Sequence, residues 1–232
     1  MTTRFACISF VFALGIVAAR ADLVLEQRFS DATSSRTVIT KIQGSKMRMD
    51  QPNDGFSVIV DFKTRDSYTL LTNQTYLFKF GSEVRWEMKE EQKYTHGTND
   101  LDFPPAPAVD TGKSEKIDGY DAELFTWSGA HGLQETLWVA RQFPNFNEIR
   151  LELFKLDQFN DAGPHRNAQP RLALLPGMVL KSETVLLGRP MTNLLVSAKV
   201  EPLDKSLFEL PRGYSVWKPP QNKNNQTNSS PH

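Results

Sequence analysis

The residues best able to do chemistry are few and scattered. The four histidines, His96, His131, His165 and His232, stand singly, and no two histidines or cysteines have the spacing of metal ligands. His131 lies in Ser-Gly-Ala-His-Gly at 128–132, which reads as a turn, so a histidine-and-carboxylate hydrolase would rest on one solvent-facing imidazole. Asp50, Asp54, Asp61 and Asp66 are close together in sequence. Calcium loops need a tighter, glycine-centred spacing, and strand alternation and turn preference account for these four. There is no Gly-x-Ser-x-Gly nucleophile elbow and no glycine-rich phosphate cradle. The sequence therefore points to a protein that is not an enzyme and uses no metal or cofactor.

Apolar surface is the remaining candidate. The run 56–62 (FSVIVDF) puts Phe56, Val58, Val60 and Phe62 on one face of a strand. The run 75–80 puts Tyr76, Phe78 and Phe80 on one face of another. Trp127 belongs to a strand that is apolar on both sides, with Leu124 opposite Phe125 and Trp127. These eight residues are the candidate ligand contacts. Either they are ordinary core, covered by a helix at 145–158, or the sheet curls too far for its helices to fill it and a hydrophobic cleft remains. Such a cleft suits an acyl chain, because each buried methylene contributes about 0.8 kcal/mol. Met47, Met49 and Met88 would suit an adaptable lining.

Short antiparallel strands must position these residues. The stretch 115–140 reads as three in a row, with Asp118-Gly119 as a two-residue hairpin turn. Further strands are expected at 23–29, 36–43, 46–50, 56–62, 67–71, 75–80, 178–187 and 191–201. In 46–50 (KMRMD) the two methionines share a face and the charges take the other. Two helices are expected. One spans 83–94, where Val84, Met88 and Glu91 fall at helical spacing. The other opens at Asn145 with Glu148 three residues on, and places Phe146, Ile149, Leu153 and Leu156 on one stripe. The proline-rich stretch 99–112 reads as a loop without regular structure, and 170–175 as a helical turn. The expected fold class is α+β: a curled antiparallel sheet of about ten strands with helices packed on one face.

The ends of the chain bear on its location. Residues 1–21 read as a cleavable signal: Arg4, an apolar run too short to span a membrane, then Ala19-Arg20-Ala21 before Asp22. Cleavage removes the only cysteine, Cys7, and two of the 27 basic residues against 27 acidic ones, leaving a net charge of −2. That balance argues against nucleic acid and against a polybasic lipid contact. An exported domain without disulfides relies on its core, and a bacterial-type periplasm or secretion fits best. One domain is expected over 22–217, followed by a polar, asparagine-rich disordered tail at 218–232 and no membrane span after cleavage.

Several short motifs bring a family into view. Gly44 to Asp50 (GSKMRMD), Val58-Ile59-Val60-Asp61, Tyr76, Ile117-Asp118-Gly119-Tyr120, Leu137-Trp138-Val139-Ala140 and Leu207 to Tyr214 (LFELPRGY) carry the resemblance. Together they resemble an uncharacterised family of exported bacterial proteins, which is similar in layout to the periplasmic lipoprotein-carrier superfamily. The resemblance spans 23–214. It implies a curled antiparallel half-barrel closed by helices, and a hydrophobic small molecule or lipid as ligand. The arginine latch of those carriers has no fixed counterpart here, and Arg36, Arg48 and Arg85 are equal candidates. The alternative is a β-sheet module that presents a surface to an envelope or secreted protein partner.

Overall fold

The structure is a computed structural model and describes residues 22–71, 76–80, 107–129, 133–161, 170–186 and 189–216. The expected leader at 1–21, the helix at 83–94, Arg85, all four histidines and the tail at 218–232 lie outside these residues.

Period-two alternation dictates the first half of the chain. β1 (Leu23–Ser30), β2 (Ser35–Gln43), β3 (Lys46–Gln51), β4 (Phe56–Asp61), β5 (Ser67–Leu71) and β6 (Tyr76–Phe80) pair in sequence order as an antiparallel meander. Their registers run without irregularity, so one face is fixed throughout. Leu23 and Leu25, then Thr40 and Ile42, Met47 and Met49, and Val58 and Val60 line up across it. A second meander follows: β7 (Val109–Ile117), β8 (Tyr120–Ser128), β9 (Gln134–Ala140), β10 (Met178–Leu186) and β11 (Arg189–Val200). The Asp118-Gly119 turn is as expected. Both residues have positive φ, 48° and 85°, the geometry that matches strand twist in a two-residue hairpin.

β1 pairs with β11 from Leu23↔Val200 to Ser30↔Thr192, and this ladder joins the two meanders. The joined sheet is locally kinked, with one-residue bulges at Val196 in β11 and Leu180 in β10. With the two-residue β12 (Ser215–Val216) added parallel to β6, the result is an open sheet of 12 strands, otherwise antiparallel. The sequence leads one to expect about ten. The strand not expected is β12, while β7 is longer than expected and begins at Val109 inside the stretch read as loop. The last proline of that stretch is Pro107, so every residue of β7 has a backbone donor, and Gly112 takes φ 70° in the irregular part of the ladder.

One α-helix, α1 (Phe146–Asp161), occurs among the described residues. It starts where the capping pattern places it, but Asn145 acts through its backbone. Its φ of 57° is one asparagine tolerates, and its carbonyl accepts the N–H groups of Glu148 and Ile149. Phe146, Ile149 and Leu153 are buried against Leu23, Leu25, Ile42, Met47, Val60, Trp138 and Met178, with Leu156 partly buried beside them. The buried carboxylate Asp157 accepts the N–H groups of Leu172 and Ala173, at 3.3 and 2.9 Å. It thereby anchors the 3-10 turn Leu172–Leu174 that returns the chain to β10.

The C-terminal segment runs back over the other face. Asp22 accepts the N–H of Leu203 at 2.9 Å and the Gln43 amide at 2.7 Å, and the same amide donates to the Leu203 carbonyl. A second 3-10 turn, Lys205–Phe208, buries Phe208, and Tyr214 packs on Ile59 and Leu70.

Two substitutions test this packing. Ile149→Ala, at a fully buried site facing β1–β4, should lower the urea-unfolding free energy by about 2–5 kcal/mol. Gly177→Ala should cost about 1–3 kcal/mol, because its Cβ would collide with the Ala140 carbonyl and the Arg141 backbone. A variant as stable as the parent would contradict the corresponding contact.

Candidate functional site

The face shared by β3, β4, β5 and β6 is where the candidate ligand contacts meet. Phe56 and Val58 stand opposite Gln51 and Met49 on β3, and opposite Leu71 and Thr69 on β5. Thr69 in turn stands opposite Phe78, and Ser67 opposite Phe80. Register therefore brings Phe56, Val58, Val60, Phe78 and Phe80 to one surface, and alternation adds Tyr76. For Tyr76 and Phe80 only the backbone is described. Phe62 follows β4, held by its N–H to the Ser45 carbonyl at 2.8 Å, and its ring lies 5.6 Å from that of Phe159 near the end of α1.

Burial changes along this surface. Val60 is 3 % exposed and belongs to the core under α1. Val58, Phe62 and Met49 are partly buried against that core, and Phe56, Thr69 and Leu71 are also half-buried. Val60 lies in the core with α1, while Phe56 and Val58 on one side of it and Phe62 on the other are half-buried. Lys155 and the buried Glu152 form an ion pair on α1, and Phe159 lies one turn beyond Lys155 on the same side of the helix.

Trp127 does not join this patch. It is 2 % exposed in a separate cluster with Phe125, Leu137, Val139 and Leu175, in the other meander. A strand that is apolar on both sides has two buried faces, and alternation alone does not say which face meets which core. Glu135 stands opposite Trp127 on β9. Burial pushes its carboxyl above the usual range, and hydrogen bonds with Ser182 and Thr184 pull it back only in part.

The carboxylates close in sequence have separate structural duties. Asp50 accepts from Lys41 at 2.6 Å, Arg48 at 2.7 Å and Ser57 at 2.7 Å, on the face opposite the apolar patch. Asp61 accepts the Lys63 and Thr64 N–H groups in its turn, and Asp66 pairs with Lys79. Arg48 also donates to the Leu207 carbonyl at 3.0 Å, so it pins the C-terminal segment and faces away from the patch. Of the three latch candidates, Arg36 keeps the patch-side register of β2 and is exposed at its start. Among the described residues, no three His, Cys, Asp or Glu groups are placed to hold a metal ion, and no helix is long and apolar enough to cross a membrane.

Sequence reasoning misses Gln51. Its Oε1 is buried without a hydrogen-bond partner, and its Nε2 reaches only the Met49 sulfur, at 4.0 Å. The signal is there: Met47, Met49 and Gln51 are alternate residues on one strand, so Gln51 continues the apolar face.

Comparisons with known proteins place the chain. The sequence model of the family described as "Domain of unknown function (DUF4412)" matches residues 20–214. The chain belongs to the DUF4412 family. The kinship expected from the motifs between Gly44 and Tyr214 is thereby met. No curated protein sequence matches this DUF4412 chain. Among solved structures it is similar to an uncharacterized conserved protein from Thermus thermophilus. That match has a TM-score of 0.46 and 10% identity, and covers 86% of this chain and 91% of the other. It is also similar to a LolA superfamily protein from Nitrosomonas europaea, with a TM-score of 0.32 and 10% identity over 82% and 90% of the two chains. The match to PNGF-II has a TM-score of 0.40 and 13% identity over 84% of this chain, which spans only 30% of PNGF-II's length.

The Asp50 cluster gives a pH prediction. Burial raises its carboxyl, but the bonds from Lys41, Ser57 and Arg48 together outweigh this and hold it below the usual carboxylate value of 3.8. A lowered folded value means the stabilisation is complete above the unfolded value and drains as pH falls through the folded one. Asp50→Asn should therefore unfold at lower urea than the parent at pH 7, and the gap should narrow below pH ~4. A gap independent of pH would mean that the cluster does not act through charge.

Proposed function

We propose that this protein binds or carries a lipid or other hydrophobic ligand on the apolar face of β3–β6, without catalysing a reaction. The observation that carries the reading is the graded burial along β4: sealed by α1 at Val60, half-buried at Val58 and Phe56. Contacts at the two ends of α1 support a curled, half-barrel sheet. Phe143, just before the helix, lies against Tyr120 of β8, and Phe159 lies against Phe62 after β4. In the strand order these points are seven inter-strand steps apart, about 34 Å on a flat sheet. Sixteen helical residues span about 24 Å. These contacts support a sheet that curves about the helix with its apolar face concave.

The protein acts outside the cytoplasm in this reading, in a periplasm or secreted, after removal of residues 1–21. Asp22, the residue that cleavage would leave first, is bonded through its side chain to Leu203 and Gln43. A second reading, a surface for an envelope protein partner, is favoured by Leu151 and Phe154, which are 65% and 50% exposed on the outer side of α1.

The test is native mass spectrometry of the protein spanning 22–232, purified without detergent, followed by solvent extraction. The expected result is an extra mass that extracts as lipid and is lost in Val58→Asp. A bare mass, with no rise in Tm on adding fatty acid or phospholipid, would overturn the lipid reading. Crosslinks from Leu151 and Phe154 to another envelope protein would then favour the second.

A further inference from the structure

Within the described residues, buried side-chain oxygens without a hydrogen-bond partner occur at Gln51 and Asn193. Such atoms are costly, because burial strips water from the group and nothing replaces it. Gln51 is the one on the candidate ligand face. It follows Met47 and Met49 in the alternation of β3, and it stands directly opposite Phe56 on β4. Phe56 is half-buried on that face, while Val60 lies in the core with α1. An amide at this position is surrounded by Met49, Phe56 and their neighbours, and the Met49 thioether is its only hydrogen-bond contact, at the long limit for sulfur. The Gln51 carbonyl is therefore an unpaired polar point on a largely apolar surface that also carries Thr40, Ser67 and Thr69.

We infer that the ligand carries a hydroxyl group on the head to which its acyl chain is attached, and that this hydroxyl pairs with the Gln51 amide. The inference rests on the lipid reading above and narrows it to hydroxyl-bearing neutral lipids such as monoacylglycerols. A hydroxyl fits because it can donate to the amide oxygen and can also accept from the amide nitrogen, so it serves either orientation of the Gln51 side chain. A bare hydrocarbon or a methyl ester would leave the oxygen unpaired, since neither has a donor. Gln51 itself calls for no charged headgroup, because its amide carries no charge. The acyl chain would then run from Gln51 along Phe56 and Val58 towards Phe62.

The experiment is displacement of a dansyl-labelled fatty acid by two probes with the same acyl chain, monoolein and methyl oleate, from the parent and from Gln51→Leu. The parent should bind monoolein roughly tenfold more tightly, the effect of one buried group left unpaired or satisfied. Gln51→Leu should bind both probes alike while keeping its affinity for methyl oleate, and without ligand it should melt higher than the parent, because the unpaired oxygen is gone. Equal binding of the two probes by the parent, or a preference that survives in Gln51→Leu, would overturn the inference and leave the lipid reading standing. Binding of neither probe, nor of the dansyl fatty acid, by the parent would overturn both. Should Gln51→Leu not fold, the parent's preference decides alone: present, it supports the pairing; absent, it removes it.

Discussion

The ladder between β1 and β11 is the contact on which the rest depends. Every other antiparallel pairing in the sheet is between strands next to each other in sequence or joined through α1. Only Leu23↔Val200 to Ser30↔Thr192 unites the first meander with the second. α1 needs both, because it buries Ile149 and Leu153 against residues of β1–β4 on one side and of β9 and β10 on the other. Without the ladder, α1 could not bury its apolar stripe against both meanders at once. The ladder is also slow to become available. At ordinary synthesis rates of about 5–20 residues per second, β1 waits roughly ten to thirty seconds for β11.

The two faces of the first meander have opposite jobs, and period-two alternation separates them cleanly. On one side, Met47, Met49, Val58 and Val60 meet the helix or extend the apolar surface past it. On the other, Lys41, Arg48, Asp50 and Ser57 form a bonded polar cluster, and the C-terminal segment lies across it through Arg48 and Tyr214. Charged side chains at 17–23% exposure are tolerated there because each has a partner. The proposed ligand surface and a structural surface thus share β3 and β4, one on each face.

Much of this is legible in the sequence, where the signal is local. Lys46 to Asp50, the Asp118-Gly119 turn and the stripe Phe146, Ile149, Leu153 each follow from periodicity and turn chemistry, and each lies where those signals place it. Sequence order also suffices to bring Phe56, Val58 and Val60 beside Phe78, because the meander pairs neighbours. The remainder is non-local. Nothing in 23–30 names 192–200 as its partner, and the two bulges that adjust the sheet are invisible to alternation. Alternation admits Trp127 to the patch because its strand is apolar on both sides, and only the fold divides Phe125 and Trp127 from Ala122 and Leu124. Gln51 escapes a reading of the sequence because a glutamine at a strand end looks like a solvent residue until its register is known.

An open sheet has two rims, and an unpaired rim is an invitation for another chain to add itself and grow a fibre. Here the rims are guarded differently. At one lies β12, the last strand among the described residues, and its two residues are too short to template anything further. At the other, β7 is kinked by its irregular ladder near Gly112 and carries Lys113, Glu115 and Lys116, so an approaching strand meets charge and broken spacing. Neither rim thus offers an approaching strand a long, regular edge beside the proposed ligand face.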